Sequence, residues 1–157
     1  MKKVLFFVDV HNMWHASGVT AGGKRVDFIK LRKTARALLP CDEMDSVAYV
    51  TSGLLTKNDK FKMFLSNIGY IVRDKTMNES FGASAWSGEL ILQDVRHLVR
   101  DEEYAGIIVA SHDGIYASLA DKYDTSVICF KDKANKALVD SAKSTYYITD
   151  DDLLNKK

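Results

Sequence analysis

Two acids in this chain follow buried-strand patterns in the same way, and a third opens a helix pattern. Asp9 ends the apolar run Val4 to Val8 within KVLFFVDVHN, and Asp113 follows GIIVA within GIIVASHDG. Asn12 stands three residues after Asp9, and Ser111 and His112 come directly before Asp113. Glu89, after Ser87-Gly88, heads a segment whose Leu90, Ile91, Val95, Leu98 and Val99 recur at helical spacing. An open α/β sheet gathers strand carboxyl ends and helix N-termini along one edge, so all three carboxylates belong to that edge. Converging carboxylates repel one another unless a cation lies among them. Oxygen donors without a His/Cys framework favour Mg²⁺ or Mn²⁺ over zinc. Such an ion activates water and stabilises charge developing on a phosphoryl group, as in nucleases. Asp9, Asp113 and Glu89 are therefore the candidate metal ligands. Asp94 lies about 7.5 Å further along its helix at 1.5 Å per residue and points away from the edge, so it ranks behind Glu89 as the third acid. The plainer reading of Asp9 and Asp113, as caps on turns that follow strands, stands beside this one.

The elements that must position these groups alternate along the chain. After the first strand, MWHASGVTAGGKR lacks periodicity, carries Gly22-Gly23 and reads as an irregular loop. Asp27 is a plausible N-cap for FIKLRKTARALL, with Phe28, Leu31, Ala35, Leu38 and Leu39 at helical spacing and Pro40 following to stop it. Ser46 to Thr51 reads as a second strand. Lys57 to Asn67 reads as a helix with Phe61, Phe64, Leu65 and Ile68 on one face, closed by Gly69. Tyr70 to Val72 is a short third strand, and the polar connection TMNESFGASAWSG leads to the Glu89 helix. After the GIIVA strand come a helix over IYASLADKY, a strand over Ser126 to Phe130 and a helix over Asn135 to Ala142. A sixth strand over Thr145 to Ile148 precedes an acidic tail. This alternation predicts one domain over 1–157, a three-layer Rossmann-like α/β fold. Its mostly parallel central sheet has five to six strands, with helices on both faces.

Composition narrows the function classes. The chain of 157 residues carries 22 Lys+Arg against 21 Asp+Glu, a net charge of +1, so a basic surface for a nucleic-acid partner must be local. No run approaches the roughly 20 apolar residues of a membrane span, and the apolar start meets Asp9 without a cleavage-like site. Cys41 and Cys129 lie far apart, form no metal-spaced pair and have no His partner in a suitable motif. They suit a reducing cytoplasm and argue against a thiol nucleophile. No Gly-Lys-Ser/Thr loop is present, which excludes P-loop nucleotide hydrolysis. An Asp nucleophile on the first strand commonly has a second Asp two residues on; here that position is His11.

Lys24, Arg25, Lys30 and Lys33, with Arg32 and Arg36, concentrate positive charge in and before the first helix. They could track phosphates, or simply form a solvated face, the reading that also fits Lys57, Lys60 and Lys62. Trp14, Phe81 and Trp86 fall in the connections nearest the edge, where aromatic rings either stack on unpaired bases or pin the loop to the core. His11, His15 and His112 flank the acids as candidate proton donors or phosphate contacts. His97 lies well away from the edge. Ser111 and His112 join the basic residues and Trp14 as candidate substrate contacts.

VLFFVDVHNMW resembles the opening motif of the NYN (PIN-like) nuclease family, a strand followed by Asp, two residues and Asn. GIIVASHDGIYASLADKY is similar to that family's strand–Ser–Gly–Asp–x–Asp–Phe motif and the helix after it. LSNIGYIVRDK resembles its helix–Gly–aromatic–strand segment, and SAKSTYYITDDDL its closing strand. The resemblance implies a PIN-like fold and metal-dependent cleavage of RNA. By it, Asp9 and Asp113 are metal ligands, and Asn12 positions the attacking water or a ligand carboxylate. The chain departs from the pattern at three places. Ile115 stands where the family carries a second Asp, and His112 replaces a Gly. The family's Lys–Gly–x–Asp segment survives as Ser87-Gly88-Glu89, with Asp94 matching its later Asp. Two function classes follow: a divalent-metal ribonuclease, and a catalytically weakened or inactive RNA-binding relative. A homodimer is compatible with both.

Overall fold

The computed structural model describes residues 2–20, 25–52, 58–76 and 86–154. Its central strand is β1 (Lys3–Asp9). Val4, Phe6 and Val8 face one layer, Leu5 and Phe7 face the other, and all five are fully buried. A strand covered on both sides has no polar face to present, so its sequence runs apolar without alternation.

The chain continues through α1 (Val10–Thr20), α2 (Phe28–Leu38), β2 (Glu43–Ser52), α3 (Asn58–Asn67), β3 (Ile71–Thr76), α4 (Gly88–Asp101) and β4 (Gly106–Ala110). A 3₁₀ helix (Gly114–Asp121), β5 (Asp124–Cys129), a 3₁₀ turn (Lys131–Lys133), α5 (Lys136–Ser141), β6 (Ser144–Tyr147) and a final 3₁₀ turn (Asp150–Asp152) follow. Among the described residues six strands form one sheet in the order β3-β2-β1-β4-β5-β6, and every neighbouring pair is parallel. Residues of α1, α2 and α3 cover one face of the sheet; α4, the long 3₁₀ helix and α5 cover the other. The expected three-layer α/β fold is observed, with a sheet that is parallel throughout.

The chain builds outward from β1 to β3, then returns to the other side of β1 and builds outward again through β4 to β6. Strand order therefore reverses between β1 and β4. Connections leave that junction in opposite directions and open a crevice at the strand carboxyl ends.

Several local expectations change. The stretch after Asn12 is helical, not an irregular loop: α1 starts directly on Val10, and Val10, Met13, Ala16 and Ser17 are buried. Its Gly, Ser, Thr and His content hides the helix, because the buried stripe includes a serine and the exposed side includes Trp14. Residues 21–24, with Gly22-Gly23 and Lys24, lie outside the described residues. Asp27 does cap α2, accepting the N–H groups of Ile29 and Lys30 at 3.0 and 3.2 Å. Phe64 of α3 does not turn inward with Phe61 and Leu65; it is 43% exposed. Gly69 ends this helix with φ +106°, a conformation that a side chain disfavours. The helix expected over IYASLADKY is the tighter 3₁₀ helix Gly114–Asp121, which ends before Lys122 and Tyr123. The acidic tail folds back: buried Asp152 accepts from the Tyr146 hydroxyl at 2.9 Å and from the Thr149 N–H at 2.8 Å. Leu153 meanwhile bridges to Val26.

Candidate metal centre at the strand switch

Val8 pairs with Ala110 in the last rung between β1 and β4, so the next residues on the two strands, Asp9 and Ser111, emerge side by side. Each acid also caps the helix that follows its strand. The Asn12 N–H approaches Asp9 Oδ1 at 3.4 Å, and the Ile115 N–H donates to Asp113 Oδ1 at 3.0 Å. The capping reading and the site reading thus describe the same two side chains. Buried Ser111 ties them together, donating from Oγ to Asp9 Oδ2 at 3.4 Å and accepting the Asp113 N–H at 3.2 Å. Tyr116, fully buried with its ring edge-on to Phe7, donates its hydroxyl to Asp9 Oδ2 at 3.3 Å.

Asp9 is only 7% exposed, and its three donors stand at 3.3–3.4 Å, longer than good hydrogen bonds. Burial pushes its carboxyl above the usual carboxylate range, and the negative charge of Asp113 adds to the effect; the Asn12 N–H and Tyr116 hydroxyl oppose it without cancelling it. The same burial and the neighbouring acids push the Tyr116 phenol up, so it remains a donor.

An open cleft of about 400 Å³ lies over Asp9, lined also by His11, Asn12, His15, Trp86, His112 and Lys133. A neighbouring cleft of about 310 Å³ shares His11 and His15 and reaches Trp14 and Arg25. Arg25 lies over the Trp14 ring, 4.7 Å from its centroid, and donates to the Trp14 carbonyl at 2.9 Å. Lys30 donates to the Asp151 carbonyl at 2.7 Å, and Lys33 is exposed on the next turn of α2. Trp86 is pinned to the core, its indole N–H on the Arg73 carbonyl at 3.1 Å and its ring edge-on to Tyr49. Lys24, Lys57 and Phe81 fall outside the described residues.

The structure brings Asp9, Asn12, Ser111, His112 and Asp113 together. It does not bring Asp94 to them: that carboxylate accepts from the Tyr49 hydroxyl at 2.7 Å and pairs with the Arg73 guanidinium. Glu89 is exposed in the first turn of α4, where Ser87 caps the Leu90 N–H. Among the described residues Glu89 makes no ion pair, and no three His, Cys, Asp or Glu form a ready metal-holding group. Gly88 of that turn packs against the site, with the Asp113 carboxylate in the space a side chain would take. Ile115 packs among apolar neighbours. Cys129 is buried and its thiol is pushed up to about 11 by burial, which removes it as a nucleophile.

Two participants, Tyr116 and Lys133, are not marked as site residues in the sequence. The Tyr116 hydroxyl reaches Asp9 only through the packing of the 3₁₀ helix on β1. Ser111, a candidate substrate contact from the sequence, is instead buried and hydrogen-bonded to both acids. Lys133 follows the carboxyl end of β5, and the rule that such ends collect at one edge was the signal available for it.

The fold and this edge define a Rossmann-like α/β domain of PIN-like type, with two carboxylates at its strand switch. The chain belongs to the NYN domain family, whose model matches residues 3–150, nearly the whole chain. That family places it in the PIN-like nuclease superfamily. Among solved structures it is similar to a protein of unknown function, VPA0982 from Vibrio parahaemolyticus. The TM-score is 0.80 at 20% identity, over 98% of this chain and 96% of the other. That likeness shows the fold. No curated protein matches the sequence. Among the described residues no helix is long and apolar enough to cross a membrane.

Proposed function

We propose that this chain is a divalent-metal-dependent ribonuclease that hydrolyses phosphodiester bonds of RNA, with Asp9 and Asp113 holding Mg²⁺ or Mn²⁺. One observation carries the reading. At the switch between β1 and β4, a buried and weakly satisfied carboxylate lines an open cleft and feels the charge of a second carboxylate, linked to it through Ser111. The donor set fits the ion. It is all oxygen, and Mg²⁺ is commonly held by one or two carboxylates, with substrate phosphate and water completing its shell. When bound, the ion supplies charge stabilisation for phosphoryl transfer and an activated water.

The chain's own residues do the rest. Ser111 and Tyr116 hold Asp9 in place, and the Ile115 N–H holds Asp113. Lys133, exposed on the cleft, offers positive charge to a phosphate, and Arg25 with Trp14 extends the surface toward neighbouring nucleotides. Lys30 and Lys33 on α2, with Lys24 preceding them in sequence, add positive charge that could meet the RNA backbone. Glu89 is the acid available to join the pair, since Asp94 is already neutralised by Arg73.

The test is cleavage of a labelled single-stranded RNA in Mg²⁺, in Mn²⁺ and in EDTA. Cutting with either ion and none in EDTA is expected. Salt-sensitive binding without cutting in any ion would instead favour a non-catalytic RNA-binding protein, the reading that Ile115, apolar where the family carries an acid, supports.

Gly88 provides a steric probe of the same site. A Cβ at this position would occupy the space of the Asp113 carboxylate. Gly88→Ala is therefore expected to push the Asp113 carboxylate off the Ile115 N–H, lowering the melting temperature slightly and weakening Mn²⁺ binding about tenfold or more, on the order of 1.4 kcal/mol. A titration of Mn²⁺ alone checks it, and unchanged affinity would show that Asp113 is not a ligand.

A further inference from the structure

Asn12 has an amide whose two ends look alike in shape and differ completely in chemistry. Which end faces the cleft decides whether it accepts or donates there. The protein answers this through two backbone N–H groups, which can only donate. The His112 N–H points at Asn12 Oδ1 from 3.0 Å, so that atom must be the oxygen. The Phe130 N–H points at His112 Nε2 from 2.9 Å, so that nitrogen must be unprotonated. A neutral ring then carries its hydrogen on Nδ1, which lies 2.7 Å from the same Asn12 Oδ1. No other assignment satisfies all three contacts. Stacking of the imidazole on Phe130, with centroids 5.9 Å apart and planes 19° apart, holds the ring in that plane.

Both of the oxygen's lone pairs are thereby engaged. The Asn12 NH₂ has no protein acceptor among the described residues, and Asn12 lines the cleft over Asp9 beside Lys133. We infer that His112 is a positioning residue that locks the Asn12 side chain with its NH₂ toward the cleft, so that Asn12 donates a hydrogen bond to a non-bridging oxygen of a bound phosphodiester. The assignment rests on the phosphodiester reading of this cleft. It makes Asn12 part of an anion-binding subsite with Lys133 and removes its oxygen from any role as a metal ligand. It also gives His112 a task that neither a proton donor nor a bare loop residue would perform.

The test uses ¹⁵N-labelled full chain and a non-cleavable 2′-O-methyl RNA hexamer in Ca²⁺. Long-range ¹H–¹⁵N spectra of the histidine rings are expected to show His112 as the Nδ1–H tautomer. The Asn12 side-chain NH₂ signals should stay near their positions in Ca²⁺ alone and move when the hexamer is added. In His112→Ala that movement is lost and the hexamer binds about tenfold more weakly, the scale of one hydrogen bond to a charged group. His112→Asn, whose amide nitrogen takes the place of Nδ1, restores both; His112→Gln, which replaces only the Nε2 side, does not. An Nε2–H tautomer overturns the inference, as does hexamer binding that leaves the Asn12 signals unmoved, rescue by Gln instead of Asn, or no hexamer binding by the parent. If the signals move as expected but the parent cuts no RNA in Mg²⁺ or Mn²⁺, the nuclease reading fails and this subsite stands. If the parent cuts RNA while the signals stay still, the reverse holds.

Discussion

Asp9→Asn is expected to lower kcat/KM for RNA cleavage by about a thousandfold, on the order of 4 kcal/mol of transition-state stabilisation, without unfolding the protein. Asn caps a helix about as well as Asp, so the start of α1 keeps its side-chain acceptor. The substitution also removes a burden on the folded state. Burial, with the Asp113 charge adding, raises the folded carboxyl of Asp9 above its unfolded value. The folded chain therefore holds this proton more tightly than the unfolded chain does. Stability from the protonated form is fully present below about pH 3.9, the ordinary Asp value, and is lost as pH rises through the higher folded value. At pH 7.5 in EDTA, Asp9→Asn should melt at or above the parent temperature, and its advantage should disappear at the acid end. Added Mn²⁺ should raise the parent melting temperature by mass action and leave the variant unmoved. Thermal melts at the two pH values, with and without the ion, check every part. A variant that cuts like the parent would remove Asp9 from the chemistry, and one that melts well below it at pH 7.5 would overturn the electrostatic account.

Phe7→Ala carries the largest expected effect on stability, about 3–5 kcal/mol, from lost transfer energy and the cavity left behind. Phe7 is fully buried on β1, edge-on to Tyr116 at 5.2 Å and to Tyr49 at 6.1 Å between ring centroids. Domains of ordinary size have about 5–15 kcal/mol in all, so this one side chain decides a large share of the total. Its two aromatic neighbours also serve the acids: Tyr116 donates to Asp9 and Tyr49 to Asp94. Cleavage by Phe7→Ala should therefore fall further than its unfolded fraction explains, because the Tyr116 hydroxyl loses the wall that aims it. Phe7→Leu, closer in volume, should cost less than about 1.5 kcal/mol and retain most activity. Urea unfolding of the two variants, beside rates measured at a temperature where both are folded, separates packing from positioning.

What could be read from the chain alone follows from how each element reports its burial. β1 and GIIVA of β4 are covered on both faces, and an uninterrupted apolar run followed by a polar break is the local signature of that burial. The acids at the breaks, Asp9 and Asp113, were legible for the same reason, and Asp27 was legible as a cap because capping is a contact within one turn. α1 was not legible. Its buried stripe contains a serine and its exposed side a tryptophan, so the hydrophobic pattern that marks most amphipathic helices is blurred there.

Position across the sheet is a different kind of information. The sequence determined an α/β chain with two strand-end carboxylates, an Asn and a His near them, and the motif order of the NYN family. Only the tertiary structure decided that β1 and β4 are neighbours in a register that sets Asp9 beside Ser111. The same packing brings Tyr116, Lys133 and Gly88 to the acids from three other elements, and leaves Asp94 with Arg73. It also decided that His112 faces Asn12 with one nitrogen and Phe130 with the other. Hydrophobic periodicity and capping are local and survive in the order of residues. Strand order and the direction of a hydrogen bond depend on atoms brought together from distant parts of the chain, and these exist only once the core has closed.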